Sequence, residues 1–303
     1  MAAKGILKVQ RPTEDGQRLM LFLIPKSRKI GIKVSGISDL FDSYSRQARL
    51  FPALLTVFAP LVAVLAWFPG LLLSNMGGAL LTFGTSCGLL YLLASLARTA
   101  GKKVEARLLK AWGAWPSTYL LRHSSRLDEH TRARYHAFLA ANIPRMVFPT
   151  AEQEEVNPKG PDAVYDSAVK WLKERARGKE FPLVEKENAQ YGFRRNLRGL
   201  KGLGSILCVA TLVSSVAIAL REPHQLFVML RSDPIEALKT LSVDVPPAVW
   251  AALGLNLMAL FGWLLVVNDN WIRLGGEQYA EALLATCDRI AATAPVRPSK
   301  QTP

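Results

Sequence analysis

Residues 51–97 read "FPALLTVFAPLVAVLAWFPGLLLSNMGGALLTFGTSCGLLYLLASLA", without one charged side chain. The stretch is more than twice the roughly 20 residues that carry a helix across a hydrocarbon core of ~30 Å. Pro69-Gly70 divides it, because proline presets a turn and glycine accepts the backbone angles that close one. The division predicts two spans, 51–68 and 71–97, folded as a tight antiparallel hairpin. Two further charge-free stretches, 203–220 and 247–267, predict a third and a fourth span. Backbone amides cannot stay unpaired in lipid, so all four should be helical.

The composition agrees. Half of the 303 residues are apolar and the mean hydropathy is +0.15, yet 38 Lys and Arg outnumber 24 Asp and Glu, for a net charge of +14. Oil and charge must then be segregated along the chain. Residues 1–50 hold ten Lys and Arg and residues 98–201 hold 21, against three in 221–246 and four after Val267. By the positive-inside rule both basic segments, and with them both termini, face the cytoplasm. No cleavable apolar core precedes the first span. Cys87, Cys208 and Cys287 give no extracellular disulfide framework, so a bacterial inner membrane is the expected location.

The expected fold is mainly α and membrane-integral: four transmembrane helices, a short N-terminal β segment and a helical cytoplasmic domain between spans 2 and 3. Residues 1–37 alternate as short strands, with Asp15-Gly16 as a hairpin turn. Residues 38–97 form a stalk helix and the hairpin. Residues 98–202 are the basic cytoplasmic domain, with one helix capped at Asp128 and another running from about Pro161 to Arg177. Tyr135, Phe138, Leu139, Val164, Tyr165, Ala168, Trp171 and Leu172 recur at three- and four-residue steps, enough for a small core that must lean on an oligomer or on the N-terminal strands. Residues 203–267 hold spans 3 and 4 and an external link, 221–246, that reads as an interfacial helix. Residues 268–303 form an amphipathic cytoplasmic helix and a disordered tail.

No P-loop, nucleophile elbow, zincin, kinase or dinucleotide fingerprint occurs. His123, His130 and His136 cluster around Asp128, but their spacing does not put two rings on one ion, so no metal is expected. Arg122, His123, Arg126, Arg132 and Arg134, with Arg145 nearby, are the candidates for binding a phosphate or nucleotide-like ligand, because guanidinium forks match phosphate oxygens. The positive-inside bias alone would also place them there. Sparse interleaving of aromatic residues disfavours nucleic acid. Tyr191, Phe193, Arg194 and Arg195 suit a lipid-facing anchor before span 3, and Gly199, Gly202 and Gly204 allow a bend or hinge there. In span 2, Gly77, Gly84 and Gly88 predict a small-residue face for helix packing or self-assembly. The spans carry no ionisable group, which disfavours ion-coupled transport and voltage sensing.

"YLLRHSSRLDEHTRARYHAFL", "FPLVEKENAQYGFRRNLRGLKGLG" and "DNWIRLGGEQYAEALLATCDR" resemble an uncharacterised family of bacterial four-span inner-membrane proteins. The resemblance implies a bacterial source and carries no activity with it. The expected function is that of a non-enzymatic, cofactor-free protein with a cytoplasmic sensing domain. Its spans would associate into an oligomeric pore or membrane-perturbing effector in stress or antiphage defence. A scaffold recruiting a soluble cytoplasmic partner is the alternative. A membrane-bound enzyme acting on a phosphorylated or lipid substrate through His123, Asp128, His130 and the arginines is the third reading.

Overall fold

A computed structural model describes residues 42–75, 77–79, 88–157, 159–178, 180–219, 228, 231–233, 235 and 245–293. The expected N-terminal strands, Gly84, most of the external link and the tail lie outside the described residues. Within them the chain is mainly helical and contains no strand.

Helix α1 runs Ser43–Trp67, starting behind an Asp42 cap and passing through a π turn at Arg46–Leu50. It ends at Phe68, and Pro69 restarts a one-turn helix α2, Gly70–Leu73, as the turn dipeptide predicted. The expected single helix over 71–97 is broken. Ser74 is extended, and Gly88 holds a left-handed φ of 67° at the start of α3, Leu89–Trp112. A residue with a Cβ is strained at that φ, so glycine is placed there by the backbone. Gly88 therefore caps a helix and does not lie on a continuous packing face with Gly77, which is itself buried. The expected small-residue face is corrected accordingly.

Helix α3 leaves the apolar region and continues to Gly113, left-handed at φ 79°. Then come α4, Pro116–Leu121, α5, Glu129–Asn142, α6, Ala151–Val156, and α7, Lys159–Arg175. The Asp128 carboxylate accepts from Thr131 N–H at 2.8 Å and caps α5, as expected. Helix α6 was missed, although Thr150 and Gln153 spell a capping box that the structure closes on both sides.

Helix α8, Pro182–Ala219, is a single rod of 38 residues, about 57 Å at 1.5 Å per residue. Gly199, Gly202 and Gly204 lie inside it without a break, so the bend expected at this junction is absent. Helix α9 spans Pro247–Val266 and ends in a π turn, Gly262–Val266. Helices α10, Asp269–Leu284, and α11, Thr286–Thr293, return over the polar part of the chain. By length and composition α1, α8 and α9 can cross a membrane, which marks a membrane protein.

This order of helices produces two regions of packing. In the apolar region α1, α8 and α9 are tied by Trp67 Nε1–H to Ser215 Oγ at 3.0 Å and Asn256 Nδ2–H to Ala59 O at 2.7 Å. In the polar region Leu120, Leu121, Tyr135, Leu139, Tyr165, Ala168 and Leu172 share a core with Phe181, Val184, Leu283, Leu284 and Cys287. Each fully buried leucine there is worth about 1.5–3 kcal/mol. The small core expected for residues 98–202 is thus completed by the base of α8 and by α10 and α11 of the same chain.

Candidate functional site

Helices α3 and α8 run side by side because neither carries a side chain where they touch. A Cβ on Gly199 would stand 2.5 Å from the Ala100 carbonyl carbon, and one on Gly101 would stand 2.0 Å from Asn196 Oδ1. This close approach brings Glu105, one turn beyond Gly101, against Arg195, one turn before Gly199. Glu105 receives Arg195 Nη1–H, Lys102 Nζ–H at 2.7 Å and the Tyr191 hydroxyl at 3.4 Å. Arg195 Nε–H also reaches Asn196 Oδ1 at 3.2 Å, and Asn196 Nδ2–H reaches Ala48 O on α1 at 2.5 Å. Burial alone would raise the Glu105 pKa, but the charges of Arg195 and Lys102 hold it below the ordinary carboxylate value.

This buried network forms one wall of a two-chambered cleft. The inner chamber, about 200 Å³, lies among Glu105, Ser117, Lys173, Asn188, Arg195 and Tyr279. The outer chamber, about 900 Å³, is bounded by Tyr44, Arg49, Arg177, Lys186, Asp42 and Glu185, and shares Lys173, Asn188 and Tyr279 with the inner one. Its volume is in the range of small-molecule sites, typically ~300–1,000 Å³. Five helices contribute, α1, α3, α7, α8 and α10, together with the first turn of α4. Burial pushes the Tyr279 phenol up to about 12. Burial also lowers the Lys173 pKa, against the opposing charges of Asp166 and Glu105.

The candidates chosen from sequence fall elsewhere. Arg122 pairs with Asp162, Nε–H to Oδ1 at 2.8 Å and Nη2–H to Oδ2 at 2.5 Å. Arg126 meets Glu277 and Glu281, Arg134 meets Asp288, and Arg132 donates to Leu127 O. These forks fasten α4 and α5 to α7, α10 and α11; they are not gathered into an open phosphate patch. His123 Nε2 lies 3.0 Å from Pro149 O, and its backbone N–H donates to both oxygens of Glu154. His136 Nε2 lies 2.8 Å from Leu121 O, and its ring stacks on Phe148 with centroids 4.4 Å apart. No metal-holding group of His, Cys, Asp and Glu occurs among the described residues.

The juxtamembrane set divides. Phe193 and Arg194 line a groove of about 320 Å³ with Phe51 and Trp271, and the Arg194 guanidinium lies over the Trp271 ring, 5.5 Å from its centroid. Tyr191 and Arg195 instead turn inward to Glu105, which corrects their reading as lipid contacts. Sequence reasoning missed Glu105, Lys173 and Tyr279. Lys173 did leave a signal: it stands between Val169 and Ala176 on the apolar stripe of α7, where a lysine is out of place.

No family model, curated protein or solved structure matches this chain.

Proposed function

We propose that the chain is a multi-span protein of a bacterial inner membrane whose cytoplasmic domain binds a ligand in the cleft and passes the bound state to the spans. The observation that carries this is α8. One unbroken helix holds Asn188, Tyr191 and Arg195 in the cleft wall and the apolar segment through Ala219. A shift at the cleft therefore reaches the apolar region through a rigid element with no loop to absorb it.

The topology within this proposal has four crossings and both termini in the cytoplasm. Ala48, just before the first apolar segment, is bonded to Asn196, and Gly101, just after the second, packs on the same asparagine. A chain that leaves at residue 51 and returns to that level by residue 101 has crossed twice. The packing of α10 on α4 and α8 brings the chain after α9 to the same end. The positive-inside count supports placing that end in the cytoplasm.

The output in this reading is a change in association of the spans with lipids and with further copies of the chain, giving an oligomeric pore or membrane-perturbing effector of stress or antiphage defence. The test is induced expression in a bacterial host with a potential-sensitive dye, together with the detergent-corrected mass of the purified protein. Depolarisation by a defined oligomer supports the effector. A polarised membrane and a monomer that co-purifies with a soluble protein would replace it with the scaffold.

A further inference from the structure

A buried ammonium group ordinarily finds a carboxylate, and polar groups inside a fold are ordinarily paired. Lys173 makes no hydrogen bond or ion pair among the described residues. Its Nζ stands 5.4 Å from the ring centroid of Trp115 and 5.7 Å from that of Tyr279, with Lys173 lining both chambers. The Ser117 hydroxyl, the Asn188 amide and the Tyr279 phenol line the same inner chamber, also without a partner among the described residues. Arg195 commits Nε to Asn196 and Nη1 to Glu105, which leaves Nη2 unmatched among them. The only carboxylate that the described residues bring to the inner chamber, Glu105, already accepts from Arg195, Lys102 and Tyr191.

The inner chamber thus presents several donors and two cations with no acceptor left to receive them. Its complement is acceptor-rich and negative. A carboxylate offers two oxygens in one plane, whereas a phosphoryl group offers three in a tripod and up to two charges, which matches donors arriving from α4, α7, α8 and α10. The outer chamber has room for the rest of such a molecule, and Arg49, Arg177 and Lys186 at its edge outweigh Asp42 and Glu185.

We propose that the cleft is a binding site for a phosphorylated small molecule, with its phosphoryl group in the inner chamber on Lys173, Ser117, Asn188 and Arg195. The proposal rests on the sensing role proposed above and names the chemistry of its ligand. Two sources offer this group, a soluble phosphorylated metabolite and a phospholipid headgroup, since α1 carries Tyr44 and Arg49 into the cleft just before the apolar segment begins at Phe51.

The test uses the full chain in neutral detergent, titrated with inorganic pyrophosphate and with ATP, and separately the chain in nanodiscs with and without phosphatidylglycerol. Thermal unfolding and equilibrium dialysis are the readouts. The expected result is saturable stabilisation that weakens by about tenfold or more in Lys173→Met, the loss of one charge-assisted contact. Should that variant fail to fold, Asn188→Asp puts a carboxylate on the half-exposed wall of the chamber and should weaken binding similarly. Saturation by pyrophosphate or ATP in detergent identifies a soluble ligand; stabilisation confined to phosphatidylglycerol nanodiscs, and lost in the same variants, identifies a headgroup. Either supports the site. No saturable response to any of the four conditions, or an equal response in wild type, Lys173→Met and Asn188→Asp, overturns it. Binding that leaves cross-linking between spans unchanged refutes the sensing role and keeps the site. Depolarisation by a protein that binds no phosphate refutes the site alone.

Discussion

Replacing Glu105 by Gln is the most demanding test of the α3–α8 junction. The Glu105 and Arg195 side chains are 7% and 8% exposed, so Glu105→Gln leaves a buried guanidinium without its counter-charge. Removing one partner of a buried pair typically costs about 3–5 kcal/mol. Arg195→Met should cost less, because Lys102, bonded to the same carboxylate and 55% exposed, still neutralises Glu105. The double variant buries neither charge and should be more stable than Glu105→Gln alone. At about 2–4 °C per kcal/mol for a chain of this size, Glu105→Gln should lower the unfolding midpoint by about 6–20 °C in detergent, read by tryptophan fluorescence. The pH dependence has a defined sign. The folded pKa of Glu105 lies below its ordinary value of 4.5, so its contribution is complete above that pH and is lost as pH falls through the lowered value. Glu105→Gln should lack this acid-sensitive component. Additive losses in the double variant, or a shift under about 2 °C for Glu105→Gln, would show that the pair does not hold the junction.

The same packing sets three further outcomes. Gly199→Ala should cost about 1–3 kcal/mol, since its Cβ would collide with the Ala100 backbone, while Gly202→Ala, with nothing within 4 Å, should stabilise α8 by about 0.5–1 kcal/mol; the reverse order in thermal unfolding would restore the hinge. Burial lowers the His136 pKa, so wild-type stability should fall as pH drops from 6.5 through the folded value, and His136→Phe should remove that slope while keeping the stack on Phe148; an unchanged slope refutes the assignment. Asn256→Ala should weaken the α1–α9 contact by about 1 kcal/mol in a denaturant titration, in line with single interhelical hydrogen bonds, and no change would mean that the bond to Ala59 is not formed in the membrane.

Several elements were legible because their signals are local. The charge-free stretches, the Pro69-Gly70 turn, the Asp128 cap and the α7 stop before Gly178 each depend on residues a few positions apart. Helix α6 was equally local, in Thr150 and Gln153, and was overlooked. The candidate site was not legible. Arg122, Arg126 and Arg134 looked like an open basic patch because their partners Asp162, Glu277, Glu281 and Asp288 lie 40 to more than 150 residues away. Glu105 carried no mark of burial, because the residue that buries it, Arg195, is 90 positions on.

The sequence by itself determined that the chain divides into apolar and basic segments, and that the apolar ones are helical, since lipid tolerates no unpaired backbone and charge cannot be diluted along a span. Only the tertiary structure decided which charged groups are neutralised and which are left facing a cavity. Pairing is a matter of distance in space, and the glycines that set that distance, Gly101 and Gly199, look in sequence like points of flexibility while serving in the fold as points of contact.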